Sequence, residues 1–400
     1  MVTIEGLTYL GLGKASDGRS LLPRVLPGEE VTVAQDGSVR IVTPSADRVA
    51  PVCRHYKSCG GCAMQHASDA FVADWKLGIV EKAVQARGLS PNFRPIMTSP
   101  ARSRRRAKFS GRRTKKGAMV GFHGRASHTL VAVPDCQLVT PELLETIPAL
   151  EALTVLACSR KGEIDLTVTD APMGPDIYVV TEKELTSQLR VELAAFANQH
   201  GLSRLVWNDE PVVTINPPTQ DFGGTQIVPP SGAFLQATKH GETALWQAVD
   251  TITAHAHRVV DLFAGCGTFS LPLAKRAEVH AVEGEADMLQ ALDRAWRAGH
   301  ELRKVTTEKR DLFRRPLEID ELRHFDTAVI DPPRAGAEAQ IATLAASDVK
   351  TIAMVSCNPV TFARDAKILT DAGFKMPWIQ AVDQFRWSTH VEIVAQFTRK

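Results

Sequence analysis

The spacing of hydrophobic and polar positions changes character several times along the chain. Over residues 1–50, short apolar stretches alternate with turn residues. Asp36-Gly37 separates VTVAQ from SVRIV, and Gly11, Gly13, Gly18 and Gly28 punctuate the part before it. Asp-Gly between two alternating runs is a strong hairpin signal, and short strands without helices manage their edges best by closing on themselves. A small N-terminal β-barrel is therefore expected. Further on the period lengthens: Val72, Trp75, Ile79, Ala83 and Ala86 recur at spacings of three and four, with Lys76, Glu81 and Lys82 on the other face. That pattern predicts a helix over 69–87, stopped by Pro91 and Pro95. Residues 102–230 return to strand-like runs (AMVGFH, TLVAVP, IDLTVT, IYVVT, RLVWN, VVTIN) with one helix over 182–199, an α+β region whose sheet is mostly antiparallel.

From residue 231 strands and helices alternate. A helix around 239–253 leads into VVDLF, and EVHAVEG, KVTTEKRD, DTAVID, TIAMVSC and HVEIVAQF follow with helical patterns between them. Alternation of this kind predicts an α/β domain with a doubly wound, Rossmann-like parallel sheet, which takes ligands outside the carboxyl ends of its strands. The boundary falls at Pro229-Pro230. Three segments result: a small β-barrel over 1–50, a central domain over 51–230 whose helix 69–87 could pack on the next unit, and the α/β domain over 231–400.

The first candidate chemistry lies where VVDLF ends. Asp261-Leu262-Phe263-Ala264-Gly265-Cys266-Gly267-Thr268-Phe269 closes one strand and opens a helix. Gly265 and Gly267 let the backbone approach a ligand, and a strand-to-helix loop presents amide hydrogens there. Ser270 stands where a dinucleotide fingerprint has its third glycine. Asp261 suits a ligand with a positive amino group better than a phosphate. Glu283, ending the next strand, is placed to accept from two ribose hydroxyls, and Asp311, ending the third, could reach an adenine edge. Together these favour S-adenosylmethionine over NAD.

Two further strand ends carry reactive groups. Asp331-Pro332-Pro333-Arg334-Ala335-Gly336 follows DTAVI, with Arg334 where methyltransferases acting on exocyclic amino groups place an aromatic ring. Ser356-Cys357-Asn358-Pro359 follows TIAMV, and Glu392 lies in HVE at the head of the last strand. A cysteine after a buried strand is commonly inert packing; beside a methyl-donor loop it is a candidate nucleophile. Carbon 5 of uracil is a poor nucleophile. A thiolate adding to carbon 6 makes an enolate whose carbon 5 can attack a sulfonium methyl group, and a base must then take the carbon-5 proton. A cysteine and a carboxylate are the residue types those two tasks need.

The ordered set DLFAGCGTFSL, VEGEADM, RDLF, DPPRAG, SCNP and HVEIV, with Phe234-Leu235-Gln236 ahead of it, resembles the RNA (uracil-5-)methyltransferases over essentially the whole chain. Thr238 stands where that family often has Asn. The resemblance implies that Gln236, Glu283 and Asp331 contact the cofactor, that Cys357 is the nucleophile and that Glu392 is the general base. It also likens residues 1–50 to a small barrel of the TRAM kind.

Cys53, Cys59, Cys62 and the distant Cys136 form C-x5-C-x2-C…C. The five-residue gap leans away from structural zinc, and one C-x2-C with a remote fourth cysteine suits an iron–sulfur cluster; unrelated thiols also fit the spacing. The resemblance implies a [4Fe–4S] cluster, as in the members acting on large-subunit ribosomal RNA, whereas the transfer RNA branch generally lacks it. Residues 102–116, RSRRRAKFSGRRTKK, contain nine Lys or Arg and no acid. Such a run is commonly a solvated face. Between the cysteines and strand-like at its middle, it could project Arg104, Arg105, Arg106, Lys108, Arg112, Arg113, Lys115 and Lys116 at a phosphate backbone.

Composition bounds the rest. With 47 Lys plus Arg against 45 Asp plus Glu, the net charge of +2 conceals that basic run. Seven cysteines in 400 residues argue against a disulfide framework. No apolar run reaches the ~18–20 residues of a membrane span and the start lacks a secretory layout, so a cytoplasmic location is expected. The expected partner is RNA, ribosomal rather than transfer RNA, at a loop or bulge uridine that can be flipped out, with the enzyme a monomer. A non-catalytic RNA-binding assembly factor is disfavoured by the full Gln236, Asp331, Cys357 and Glu392 set. An electron-transfer protein is disfavoured by the missing flavin or dinucleotide fingerprint.

Overall fold

The computed structural model describes residues 1–159 and 162–400. The Asp36-Gly37 turn closes a hairpin as its sequence demands: Gly37 adopts φ +79°, and the Ala34 amide donates to the Ser38 carbonyl at 2.9 Å. This hairpin belongs to a five-stranded antiparallel sheet in the order Leu21–Pro23, Leu12–Ala15, Val2–Leu7, Glu30–Val33, Val39–Thr43. Register shifts after Ile4 and after Glu30 curl it around Ile4, Ala15, Leu22, Val25 and Val31. Among the described residues its order runs open, so a curled sheet stands where a closed barrel was expected.

The central segment builds a seven-stranded sheet: Glu210–Thr214, Arg204–Trp207, Asp176–Val180, Glu163–Thr169, Arg106–Thr114, Gly117–His123 and Leu130–Ala132. One pair in it is parallel, Asp176–Val180 with Arg204–Trp207, bridged by the helix Ser187–Gln199. A helix over Ile147–Ala157 packs against the sheet, with Leu150 and Leu153 touching the core around Phe109. The sequence hid this helix because IPALEALTVLA is apolar on nearly every side, leaving no amphipathic stripe to read.

The third unit is an eight-stranded sheet in the order Val305–Lys309, Glu278–Glu283, Arg258–Leu262, Thr327–Ile330, Thr351–Ser356, Glu392–Thr398, Trp378–Asp383, Asn92–Thr98. It is not wholly parallel as the alternation suggested: Glu392–Thr398 runs antiparallel between its neighbours. The outermost strand, Asn92–Thr98, comes from the central segment. Its Pro95, which reads as a strand breaker, is tolerated because the strand is an edge.

The helix Asp69–Gln85 packs beside that edge, with Val80 and Val84 in one core with Val260, Ile330 and Phe362. Its buried stripe is Val72, Lys76, Val80 and Val84, rotated from the Trp75–Ile79 stripe that the periodicity suggested. Lys76 is fully buried rather than solvated. Its Nζ donates to Asp383 Oδ1 at 2.6 Å and to the Phe385 carbonyl at 3.1 Å. Residues 69–98 thus belong spatially to the C-terminal sheet, although they precede it in the chain by more than a hundred residues. No helix among the described residues is long and apolar enough to cross a membrane.

Candidate active site

The glycine loop forms where Arg258–Leu262 meets a short helical turn, Ser270–Leu273. Phe263, Gly265 and Gly267 take φ +60°, +55° and +95°. At Gly267 a Cβ would lie 2.5 Å from Leu292 Cδ1, so only glycine fits; at Gly265 nothing lies within 4 Å of that position. Glu283 ties the loop to the next strand by accepting from the Gly265 amide at 3.0 Å and the Gly284 amide at 2.6 Å. Asp261 is completely buried. Its Oδ2 accepts from Ser270 Oγ at 2.6 Å and its Oδ1 has no partner. Burial, reinforced by Asp331 and Glu283, pushes its carboxyl up to about 7. A buried carboxylate oxygen without a partner fits a ligand that brings a donor or a positive charge. Phe263 and Phe313 tilt against each other at 5.4 Å. Asp311 is exposed and spends its Oδ1 on the amides of Phe313 and Arg314 in its own turn.

Sheet register brings the chemical residues together. Ser356 pairs with Ile393 in an antiparallel ladder, and one step further puts Cys357 opposite Glu392. Asp331 ends the strand beside Thr351–Ser356. Glu392 is only 4% exposed; burial pushes it up to about 7, with the Gln384 side chain and the charge of Arg334 opposing. Asp331 is held well above the usual carboxylate range by burial and by Glu392. Burial, Glu392 and Asp331 push the half-buried Cys357 thiol up to about 11, with Arg334 opposing. The Arg334 guanidinium lies 3.1 Å from His390 Nδ1, and its carbonyl accepts from Asn358 Nδ2 at 2.9 Å.

Gln236 is buried with its Nε2 3.5 Å from Asp331 Oδ2. Thr238 caps the helix Lys239–Ile252 by accepting from the Gly241 amide at 2.8 Å. One residue that sequence reading missed is Gln384, 2% exposed, whose Nε2 donates to Gln236 Oε1 at 2.5 Å. It lies one residue past the strand Trp378–Asp383, which the periodicity did not reveal.

The basic run is divided by its own strand. Arg106–Thr114 lies inside the seven-stranded sheet, so alternate residues face opposite sides. Arg105 is buried, paired with Glu242 and donating to the Gln236 carbonyl at 3.2 Å and Gln220 Oε1 at 3.2 Å. Arg106 donates to the Gly232 carbonyl at 2.7 Å. Both are turned into the protein and are removed from an RNA surface. Lys108 pairs with Asp165, Arg112 with Glu163, and Arg113 reaches the Cys158 carbonyl. Lys115 and Lys116 are exposed at the hairpin tip. Arg104 instead borders a cleft of about 630 Å³ with Leu10, Gly60, Arg125, Arg334 and His390, where the N-terminal sheet, the cysteine loop and the catalytic strands meet.

Cys53, Cys59, Cys62 and Cys136 are free thiols. Burial raises the first three, Cys62 to about 12, and each is raised further by Cys136. They are therefore neighbours, as four ligands of one group must be. Among the described residues, however, no group of three or more Cys, His, Asp or Glu side chains is arranged to hold a metal ion. The donors fit a cluster in type and proximity but not in arrangement. The loop that carries them is fastened to the catalytic segment: the amides of Ala63 and Met64 both donate to the Trp387 carbonyl, at 2.7 and 2.9 Å.

A Rossmann-like sheet with one antiparallel strand, a glycine loop after one strand and reactive side chains at neighbouring strand ends defines a methyltransferase. The chain belongs to the RNA (uracil-5-)methyltransferase family. The family model described as tRNA (Uracil-5-)-methyltransferase matches residues 229–400. The chain is 41% identical to an RNA methyltransferase of Rhizobium meliloti, over 98% of each protein. It is 30% identical to the 23S rRNA (uracil(1939)-C(5))-methyltransferase RlmD of a Shewanella strain, over 99% of this chain and 94% of that one. The crystal structure of a tRNA (uracil-54, C5)-methyltransferase from Pyrococcus abyssi shares the fold, with TM-score 0.77 at 20% identity, over 99% of this chain and 98% of that one.

Proposed function

We propose that this RNA methyltransferase transfers the methyl group of S-adenosylmethionine to carbon 5 of a uridine in 23S ribosomal RNA. The observation that carries the reading is the convergence of Cys357, Glu392 and Asp331 beside the glycine loop. S-adenosylmethionine supplies a methyl group on a sulfonium, which leaves as a neutral thioether. Gln236, Asp261, Glu283 and Asp331, with the loop at Phe263, Gly265 and Gly267, hold it at the strand ends, where Asp261 Oδ1 still lacks a partner. Asp311 serves its own turn and is left out of that set.

The partly exposed Cys357 thiol loses its proton to solvent water, and the thiolate sulfur bonds to carbon 6 of the uracil, opening the 5,6 double bond into an enolate. Carbon 5 takes the methyl group and then carries both the methyl and its original hydrogen. Glu392 removes that hydrogen as a proton, the double bond re-forms and the carbon–sulfur bond breaks. A carboxylate pushed up to about 7 is a stronger base than an exposed one yet is still substantially ionised at neutral pH.

The RNA is read as entering by the cleft between Arg104, Arg125 and Arg334, with Lys115 and Lys116 as outlying phosphate contacts. Ribosomal RNA is favoured over transfer RNA by the relative named for 23S rRNA at 30% identity. We place the enzyme in the cytoplasm as a monomer. We also assign Cys53, Cys59, Cys62 and Cys136 to a [4Fe–4S] cluster that braces this region, supported by four neighbouring soft donors. The cluster takes no part in the methyl transfer. Visible absorption, iron and sulfide of anaerobically purified protein test it, and colourless, iron-free protein refutes it.

For the reaction, labelled S-adenosylmethionine is incubated with undermethylated 23S rRNA and, separately, transfer RNA. Label at carbon 5 of one 23S uridine is expected; label only in transfer RNA, or at another atom, refutes the assignment. Cys357→Ala should abolish turnover and any covalent protein–RNA species, whereas Glu392→Gln should accumulate that species. Equal loss without an adduct in both would refute the two roles.

A further inference from the structure

Gln236 lies in an irregular stretch between Pro230 and the helix Lys239–Ile252, so neither a helix nor a strand fixes its backbone. A buried stretch of that kind must find partners for its carbonyls elsewhere. Here they come from one residue of the central segment. Arg105, 6% exposed, donates from Nε to the Gln236 carbonyl at 3.2 Å and from its own amide to the Ala237 carbonyl at 3.1 Å. The rest of the guanidinium is committed: Nη1 donates to Gln220 Oε1 at 3.2 Å, and Nη2 pairs with Glu242. Those partners are anchored in turn. Gln220 Nε2 donates to the Asp170 carbonyl at 2.8 Å, and Glu242 Oε1 accepts from Lys239 Nζ at 2.7 Å. The Arg105 carbonyl accepts from the Asp170 amide at 2.8 Å. A planar fork held at three points cannot turn freely, so the Gln236 carbonyl meets a fixed, charged donor.

We propose that Arg105 is a positioning residue for the cofactor: it fixes the peptide at Gln236 so that the Gln236 side chain is held toward Asp331 and the bound S-adenosylmethionine. The inference rests on Gln236 contacting S-adenosylmethionine, as read above. With its backbone held, Gln236 accepts from Gln384 Nε2 at 2.5 Å, and its own Nε2 lies 3.5 Å from Asp331 Oδ2. Arg104, one position earlier, bridges Val139 and Thr238 through its backbone and borders the cleft with Arg125 and Arg334. Adjacent arginines of one extended segment face opposite ways and so divide their work between RNA and cofactor. The central segment thereby completes a cofactor site whose other residues all lie within 231–400. An arginine that only neutralised Glu242 would act on stability and not through Gln236.

The test is a double-variant cycle on S-adenosylmethionine affinity. Calorimetric titration compares wild type, Arg105→Met, Gln236→Ala and the two changes together, at a temperature where each protein is folded. Each single variant should bind roughly tenfold more weakly, the size of one hydrogen bond to a charged group. Because Arg105 acts through Gln236, the double variant should bind no more weakly than Gln236→Ala alone. Losses that multiply to about a hundredfold, or an Arg105→Met protein with wild-type affinity, overturn the inference. RNA supplies a second readout. Arg105→Met should leave affinity for a 23S rRNA fragment unchanged, and a variant that loses RNA affinity in place of cofactor affinity counts against it equally. Arg105→Lys, which keeps a cation beside Glu242, carries the same cycle if the Met variant fails to fold. Gln236→Ala with wild-type affinity refutes the cofactor role of Gln236 and takes the inference with it. Wild type that binds S-adenosylmethionine but does not label carbon 5 refutes the proposed function alone, so the two failures are distinguishable.

Discussion

Lys76→Met is the most exacting test of how this protein holds its catalytic segment. The ammonium and the Asp383 carboxylate meet at 2.6 Å with side-chain exposures of 0% and 1%, and Lys76 also donates to the Phe385 carbonyl. Methionine keeps most of the stem and removes the charge, so the loss is electrostatic rather than a cavity. Asp383 would keep the Phe385 amide, 3.1 Å from Oδ1, as its hydrogen-bond donor. A buried carboxylate without its cation can escape by taking up a proton. Held neutral at pH 7, about three units above the ordinary carboxyl range, it costs about 4 kcal/mol. Breaking a buried pair costs a similar ~3–5 kcal/mol.

In a cooperative unit of about 200 residues, a loss of that size lowers Tm by roughly 8–16 °C, measurable by scanning fluorimetry or calorimetry. Because the cost comes from keeping a carboxyl neutral, it should be largest at pH 8 and shrink toward pH 5. Adding Asp383→Asn to Lys76→Met should restore most of the stability, since the amide oxygen still accepts from Phe385 and no charge is left uncompensated. A Lys76→Met variant that loses less than about 1 kcal/mol, or a double variant no more stable than the single one, would refute this account of the pair.

Three further outcomes follow from the site. Asp261 has a folded-state carboxyl raised to about 7, so its burial costs nothing below pH 4 and the cost appears as pH climbs toward 7; Asp261→Asn should raise Tm at pH 8 but not at pH 4, with weaker S-adenosylmethionine binding, and an equal gain at both pH values would contradict it. Gly267→Ala forces φ +95° and a 2.5 Å contact with Leu292, so denaturant titration should show a loss on the order of 1–3 kcal/mol, and an unchanged midpoint would count against the loop geometry. Arg125→Ala should weaken RNA binding and lower the salt slope by about 0.7–0.9, the share of one phosphate, while Lys108→Ala, already paired with Asp165, should change neither; the reverse ranking would move the RNA surface from the cleft to the outer face of the central sheet.

What the sequence revealed and what it hid divide along one physical line. The glycine loop, the Asp331 turn and Cys357 were legible because each is a local departure at a strand end, and a strand followed by a helix fixes where such a departure lies. Whatever depended on pairing between distant segments was not legible. Cys357 meets Glu392 only because Glu392–Thr398 runs antiparallel in a register that no periodicity specifies. The basic run reads as one charged surface, yet a strand in mid-sheet sends alternate residues to opposite faces, and Arg105 turned inward to Glu242. Lys76 read as a solvated residue because the carboxylate that buries it lies 307 positions away. These hidden pairings converge on one stretch of chain. Lys76 grips Asp383, Gln236 receives Gln384, Asp69 pairs with Arg386, and the cysteine loop binds Trp387, all within ten residues of Glu392. Three of these four contacts come from residues 63–76, so the N-terminal part of the chain supplies much of what holds the segment leading to the proposed base.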